Sequence, residues 1–389
     1  MNTPALRRVA RLSASAAGVV VSMLALSGCV VAPPLPPVPS ELPVVTAPAT
    51  PMPSTSPLYV PVHPVGDPIA LAHSLKAPWS IVQLPSGGTL ISERDTTVVR
   101  EMLADKTVRQ AGIVAAADPA GEGGLLGLAF LADASDAAGG TGWVYAFLTS
   151  STDNRIERMP LLGSAGSYGL GPPEVVLTGI PKAAHHNGGR IAFGPDGLLY
   201  ATTGDAGILS NAQNKASLGG KILRMTATGG VPSGNPFDTL VYSYGHRNPQ
   251  GIAWDAAGQL WASEFGQNKW DELNRIVAGG NYGWPTVEGK SDDSDFINPF
   301  AEWPTDVASP SGIAIVGETL FLASLKGERL RSVDLSTGTT TDWFVHGFGR
   351  LRDVVTGPTG TLWFVTNNTD GRGQPRPGDD RLLQVQVAP

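Results

Sequence analysis

Six segments of this 389-residue chain repeat one pattern: "LPSGGTLISERD" (84–95), "TGWVYAFLTSS" (141–151), "GPDGLLYATTGD" (194–205), "DAAGQLWASEFG" (255–266), "VGETLFLASLKG" (316–327) and "GPTGTLWFVTNN" (357–368). Each is a turn with glycine followed by a strand rich in β-branched and aromatic residues, and most end in polar or charged side chains. A unit of this size cannot bury its apolar faces alone, so copies recurring about every 40–60 residues must stack against one another. Six copies predict an all-β, six-bladed β-propeller, with the second and fifth copies the weakest matches. A sandwich of short strands would not need such similar units. The 48 glycines and 33 prolines, and the lack of long apolar stripes at helical spacing, agree with many short strands and turns.

The chain ahead of the repeats has another character. Arg7, Arg8 and Arg11 precede the apolar run "AGVVVSMLAL", which is too short to span a bilayer comfortably, and "LSGC" then ends on Cys29. Residues 1–28 therefore read as a lipoprotein signal peptide, with Cys29 lipidated as the first mature residue. The alternative is an ordinary secretory signal with an incidental cysteine. Cys29 is the sole cysteine, so no internal disulfide framework exists. Residues 29–68 are proline-rich and favour extended polyproline II, a semi-rigid tether that leaves the propeller to begin at Ile69 and run to 389. The expected location is outside the cytoplasm, anchored to the cell membrane by lipid. A net charge of -7 gives no electrostatic case for nucleic acid or for a polybasic membrane surface.

In a propeller, loops that follow equivalent strands converge at one mouth of the central channel. His186 and Asp205, and the segments "YGHRNPQG" (244–251), "SEFGQNKWDELN" (263–274), "SLKGE" (324–328) and "GRLRDV" (349–354), should meet there, with the adjacent His185 a neighbour of no fixed role. Singly, Arg247, Lys326, Arg350 and Arg352 read as solvated charges. Gathered at one mouth they repel one another unless a small polyanion binds, and arginine's fork suits carboxylate or phosphate.

These residues carry a family resemblance. The segments "GEGGLLGLAF", "HNGGRIAFGPDGLLYATTGD", "LGGKILRM", "YSYGHRNPQGIAW", "DELNRIVAGGNYGWP", "SLKG" and "RLRDVVTGPTGTLW" resemble, in family order, the glucose/sorbosone dehydrogenases: six-bladed quinoproteins that bind pyrroloquinoline quinone (PQQ), a tricarboxylate, with calcium. The resemblance implies that His186 is the base that takes the proton of a sugar's anomeric hydroxyl and that Asp205 orients it. Arg247 and Asn248 match the pair at the quinone's reactive oxygen; Lys326, Arg350 and Arg352 match the clamps on its carboxylates. The carbonyls of Gly266 and Gln267 match ligands of the catalytic calcium. Glu272 and the carbonyl of Tyr282 match a structural calcium site, and Asp292 either binds a further calcium or belongs to a solvated acidic loop.

Two positions depart from the pattern. Glu122 stands where the family commonly has a glutamine that contacts the quinone, and an ionised carboxylate there disfavours the reduced, anionic cofactor unless it is protonated or paired. Gln267 replaces a common proline. The implied activity is oxidation of an aldose at its anomeric carbon to the lactone, with electrons leaving to an unknown acceptor at the membrane. No nicotinamide-binding fingerprint is present. The rivals are a non-catalytic propeller lipoprotein that binds a cell-envelope glycan or protein, and a calcium-dependent lactone hydrolase, which would not need the four cations.

Overall fold

Twenty-five strands group into six antiparallel sheets among the described residues. The structure is a computed structural model that describes residues 60–135, 140–358 and 360–389. The expected signal peptide, Cys29 and most of the proline-rich stretch lie outside these ranges. No helix among the described residues is long and apolar enough to cross a membrane.

Each of the six sequence repeats supplies the second strand of one sheet: Thr89–Glu93, Gly142–Thr149, Leu199–Thr203, Leu260–Glu264, Thr319–Ser324 and Thr361–Thr366. A second strand is hydrogen-bonded on both edges and covered on both faces by neighbouring blades. That is why its residues are almost wholly buried, with apolar side chains such as Ile91, Phe147, Trp261, Phe321 and Phe364 filling the space between blades and the polar ones gathered mainly toward its ends. The first strands, Pro78–Gln83, Leu125–Ala132, Ile191–Phe193, Pro249–Trp254, Pro310–Val316 and Leu351–Thr356, pack on one another in ring order. They line the central channel. The core is accordingly divided into clusters between blades: Leu126, Tyr145 and Phe147 of one blade meet Ile191, Leu199 and Met225 of the next.

The ring closes by pairing the two ends of the domain. His63–Ala72 runs antiparallel to Leu382–Ala388 and becomes the outer strand of the last blade. The first strand thus begins at His63, ahead of the expected start at Ile69. Pro64 and Pro68 disguise it in the sequence, but an edge strand needs no donor on its free side. The register also shifts between Val65 and Ile69, around Gly66 at φ 75°.

Candidate active site

The turns that leave the second strands reach one mouth of the ring, where two adjoining cavities share Glu122, Phe265, Ser309 and Lys326 in their walls. His186 lies on the wall of one of them, with its side chain 14% exposed. Its Nδ1 is 2.8 Å from Oδ1 of the fully buried Asp205. An ionised carboxylate only accepts hydrogen bonds, so Nδ1 carries the proton and Nε2 is left with a lone pair. Asp205 also accepts the Gly207 N–H at 2.7 Å and the Trp284 indole N–H at 2.8 Å. Burial pushes its pKa up, but the bonds from His186, Gly207 and Trp284 outweigh burial and hold it below the usual carboxylate range. Close approach of the two segments depends on Gly204, where a Cβ would fall 1.9 Å from the His186 carbonyl oxygen. His186 itself sits in the left-handed region at φ 59°. The neighbouring His185 is exposed and sets its ring edge-on to His186, with centroids 4.4 Å apart.

Arg247 and Asn248 enter the same cavity from the start of the fourth blade. Glu264 fixes their backbone by accepting both main-chain N–H groups, and its other oxygen meets His246 Nδ1 at 2.8 Å. The Arg247 guanidinium donates to the Phe265 carbonyl at 3.1 Å and lies over the Trp284 ring. Burial lowers its pKa, opposed by Asp205, Glu264, Glu288 and Glu122. Asn248 accepts the Gly188 N–H at 3.0 Å, while its Nδ2 and the Arg247 Nε are buried without partners. Orphaned buried donors are costly, so these two mark a place suited to an acceptor atom of a ligand.

Across the mouth, the expected clamp residues line the other cavity in unequal states. Lys326 is exposed and makes no hydrogen bond or ion pair among the described residues. Arg350 is already neutralised by Asp370 Oδ2, at 2.9 and 3.2 Å. Arg352 is buried and reaches only neutral groups, chiefly Gln250 Oε1 at 2.6 Å. Burial pulls its pKa down to about 9, so it stays charged at neutral pH. The expectation of four bare cations therefore fails for Arg350, since Asp370 follows it on the adjoining strand connection. Arg94 and Arg372 join the same wall, but Arg94 is paired with Asp95 at 2.6 Å and Arg372 with Glu122, so among the described residues Lys326 and Arg352 are the cations of this wall that no carboxylate pairs.

Glu122 is paired rather than isolated. Its Oε1 accepts from Arg372 at 2.8 Å and its Oε2 accepts the main-chain N–H of His186 at 3.0 Å. Burial pushes its pKa up, but these two partners bring it below the usual range.

The proposed calcium ligands fall in two places. Gly266 and Gln267 line the cavity that holds His186. Their loop is shaped by carboxylates: Asp271 accepts the Gly266 N–H at 2.8 Å, and Glu288 Oε1 gathers those of Gln267, Asn268 and Lys269 at 2.6, 2.8 and 3.0 Å. Burial lifts the Asp271 pKa to about 6. Glu272 and Tyr282 line a small adjoining cavity with Glu264 and Glu288, which shares Arg247, Phe265 and Gly266 with the first. Glu272 stands opposite Glu264 on one side and Glu302 on the other, and burial, reinforced by Glu264, raises its pKa to about 8. Carboxylates so crowded favour a cation between them. Asp292 is exposed and lines neither cavity. Among the described residues, no three or more His, Cys, Asp or Glu side chains gather in metal-binding geometry, so carbonyl oxygens would have to complete either site.

With this geometry in place, comparison with known proteins places the chain. The family model described as glucose/sorbosone dehydrogenase matches residues 75–376. The chain belongs to that family. It is 47% identical to the PQQ-bound form of the aldose sugar dehydrogenase of Streptomyces coelicolor, with a TM-score of 0.78 over 84% of this chain and 98% of that one. It is 33% identical to quinoprotein glucose dehydrogenase B of Acinetobacter calcoaceticus over 57% of this chain and 53% of that protein. With the aldose sugar dehydrogenase of Escherichia coli it shares 31% identity, over 50% of this chain and 62% of the relative. The aligned stretch thus spans between half and two thirds of these two curated relatives.

Several residues of this glucose/sorbosone dehydrogenase site escape the sequence reading. Arg94 follows a second strand directly, so the rule that predicts Asp205 and Lys326 could have found it. Trp284, Glu288 and Asp370 come from later loops with no such register. Arg372 contacts Glu122 across 250 residues, and only the closed ring brings them together.

Proposed function

We propose that the protein is an exported, lipid-anchored oxidoreductase that oxidises an aldose at its anomeric carbon, using PQQ and calcium. One observation carries this reading: the His186–Asp205 pair opens beside a cavity lined by five cationic side chains, of which Lys326 and Arg352 have no acidic partner among the described residues, a lining suited to a polycarboxylate. Lys326, Arg350 and Arg352 would hold the carboxylates, with Arg352 contributing most because it is buried and, unlike Arg350, has no acidic partner, whereas the equally unpaired Lys326 is exposed to water. The orphaned donors of Arg247 and Asn248 would receive the quinone oxygen. The carbonyls of Gly266 and Gln267 would ligate the catalytic calcium, and Glu272 with the Tyr282 carbonyl a structural one. When bound, the quinone supplies a two-electron acceptor and calcium a Lewis acid at its carbonyl. The chain supplies the proton chemistry. His186 Nε2 takes the proton of the anomeric hydroxyl, and Asp205 stabilises the imidazolium without itself becoming protonated. Anchoring through Cys29 would hold the propeller near a membrane acceptor of electrons.

The test is to add PQQ and calcium to purified apo-protein, follow protein-bound cofactor absorbance, and then assay dye-linked oxidation of several aldoses. Bound cofactor with sugar oxidation is expected. Absence of both would leave the propeller as a binding module. For the anchor, Cys29→Ala should lose membrane association; a variant as firmly bound as wild type would reject it.

A further inference from the structure

Glu122 lines both cavities of the site and Arg372 one of them, and the two are tied to each other and to His186 by contacts that need no bound cofactor. Glu122 approaches His186 through two ties. Its own N–H donates to the Ala184 carbonyl at 2.8 Å, and its Oε2 accepts the His186 N–H at 3.0 Å. Gly121 permits this contact, since a Cβ there would lie 2.2 Å from the Ala184 oxygen. His186 needs such support. It is a non-glycine residue at φ 59°, a backbone conformation that persists only where its surroundings fix it. Asp205 holds the ring from one side; the main chain is held by Glu122.

The far end of Glu122 is not free. Oε1 takes the Arg372 guanidinium at 2.8 Å, although Arg372 is 61% exposed and could otherwise swing into water. The backbone of Arg372 is set by Asp370, whose Oδ1 accepts the N–H groups of Arg372 and Gly373 at 2.8 and 3.1 Å. Asp370 in turn pairs with Arg350. A continuous line of contacts therefore runs from a cationic wall residue, through Asp370, Arg372 and Glu122, to the amide of His186.

We infer that Glu122 is a positioning residue for His186, and that Arg372 keeps its carboxylate aimed at the His186 amide. On this view the glutamate is not a defective version of the family's glutamine. It is one half of a pair whose other half lies in the last blade. The inference rests on the proposed role of His186 as the base, but its first test needs no turnover.

That test is amide hydrogen exchange of His186, read by NMR in the apo-protein. Glu122→Ala should speed exchange by about tenfold or more, because it removes the acceptor. Glu122→Gln keeps an oxygen acceptor and should stay within about threefold of wild type, while Arg372→Ala should fall between the two. In PQQ- and calcium-loaded protein, Glu122→Ala and Arg372→Ala should lower kcat and leave the sugar KM nearly unchanged, with Arg372→Lys recovering much of the loss. Equal exchange at His186 in wild type and Glu122→Ala, with both folded by thermal unfolding, overturns the inference. Should Glu122→Ala not fold, wild-type exchange in Arg372→Ala, a rim variant, overturns the part assigned to Arg372, and wild-type exchange in Glu122→Leu, which keeps bulk but removes the acceptor, overturns the part assigned to Glu122. Loaded wild type that oxidises no aldose removes the dehydrogenase reading instead, and leaves the exchange result standing.

Discussion

Two histidine–carboxylate pairs sit near this mouth with the same 2.8 Å contact from Nδ1, and they are built for different ends. In the His186–Asp205 pair the second ring nitrogen faces a cavity. In the His246–Glu264 pair the second nitrogen is 2.8 Å from Ser243 Oγ, the ring is fully buried, and Tyr282 stacks on it at 4.7 Å. The distance to the carboxylate therefore says nothing about catalysis. What separates the pairs is whether Nε2 still has a lone pair to offer outside the protein. His246 spends both nitrogens on packing and on placing Glu264, which then fixes the backbone of Arg247 and Asn248.

The sharpest way to break this comparison is to delete each histidine. His186→Ala should lower turnover by at least about a hundredfold while cofactor binding and thermal unfolding stay close to wild type. His246→Ala should lose about 2–4 kcal/mol in denaturant unfolding, from the void and the buried carboxylate oxygen left unpaired. A His246→Ala variant of normal stability with no turnover would erase the distinction. The same contrast between spent and unspent groups extends to the clamp. Arg352→Ala should weaken PQQ binding by about ten- to a hundredfold, and Arg350→Ala by less, since Asp370 already neutralises Arg350. A titration giving the opposite order would show that partnership in the apo-protein does not rank the cations.

Smaller effects refine the picture. Calcium should raise the melting temperature by a few degrees, and Glu272→Gln should abolish most of that shift if the crowded carboxylates are what the ion relieves. The smallest effect concerns acid. The folded pKa of Asp205 lies below its ordinary value of 3.8, so its stabilising contribution is complete above that value and lost as pH falls through the lower folded one. Removing a hydrogen bond that depresses it, in His186→Ala, should move the acid-unfolding midpoint slightly upward. An unchanged midpoint would mean that Gly207 and Trp284 alone hold the carboxylate.

The fold was legible because a second strand has no solvent face: its composition must announce itself, even in the weaker copies 141–151 and 316–327. His186, Asp205, Arg247 and Lys326 were legible because they follow or flank such strands or sit in distinctive motifs. Arg372 was not, because its meaning depends on Glu122, a partner supplied by ring closure. Asp370 was missed for a related reason: charge counting along the chain registers cations but not the carboxylate that the next connection folds back onto them. The strand from His63 was hidden by its prolines, which an outer edge tolerates and an inner strand would not.

That outer strand has a consequence for the order of assembly. The last blade draws its edge from the first strand of the domain and its other three strands from the final forty residues. Emerging first, His63–Ala72 must wait unpaired while five blades are synthesised. The pairing that shuts the circle joins segments more than three hundred residues apart in sequence. Contacts of such separation form slowly, because a long loop must be closed before any bond rewards it. Until then the growing arc carries an open strand edge at its leading end, available to any other unpaired strand it meets. Removing His63–Ala72 would instead leave Leu382–Ala388 without its outer partner, so a truncated chain should associate through that edge even where each blade is sound.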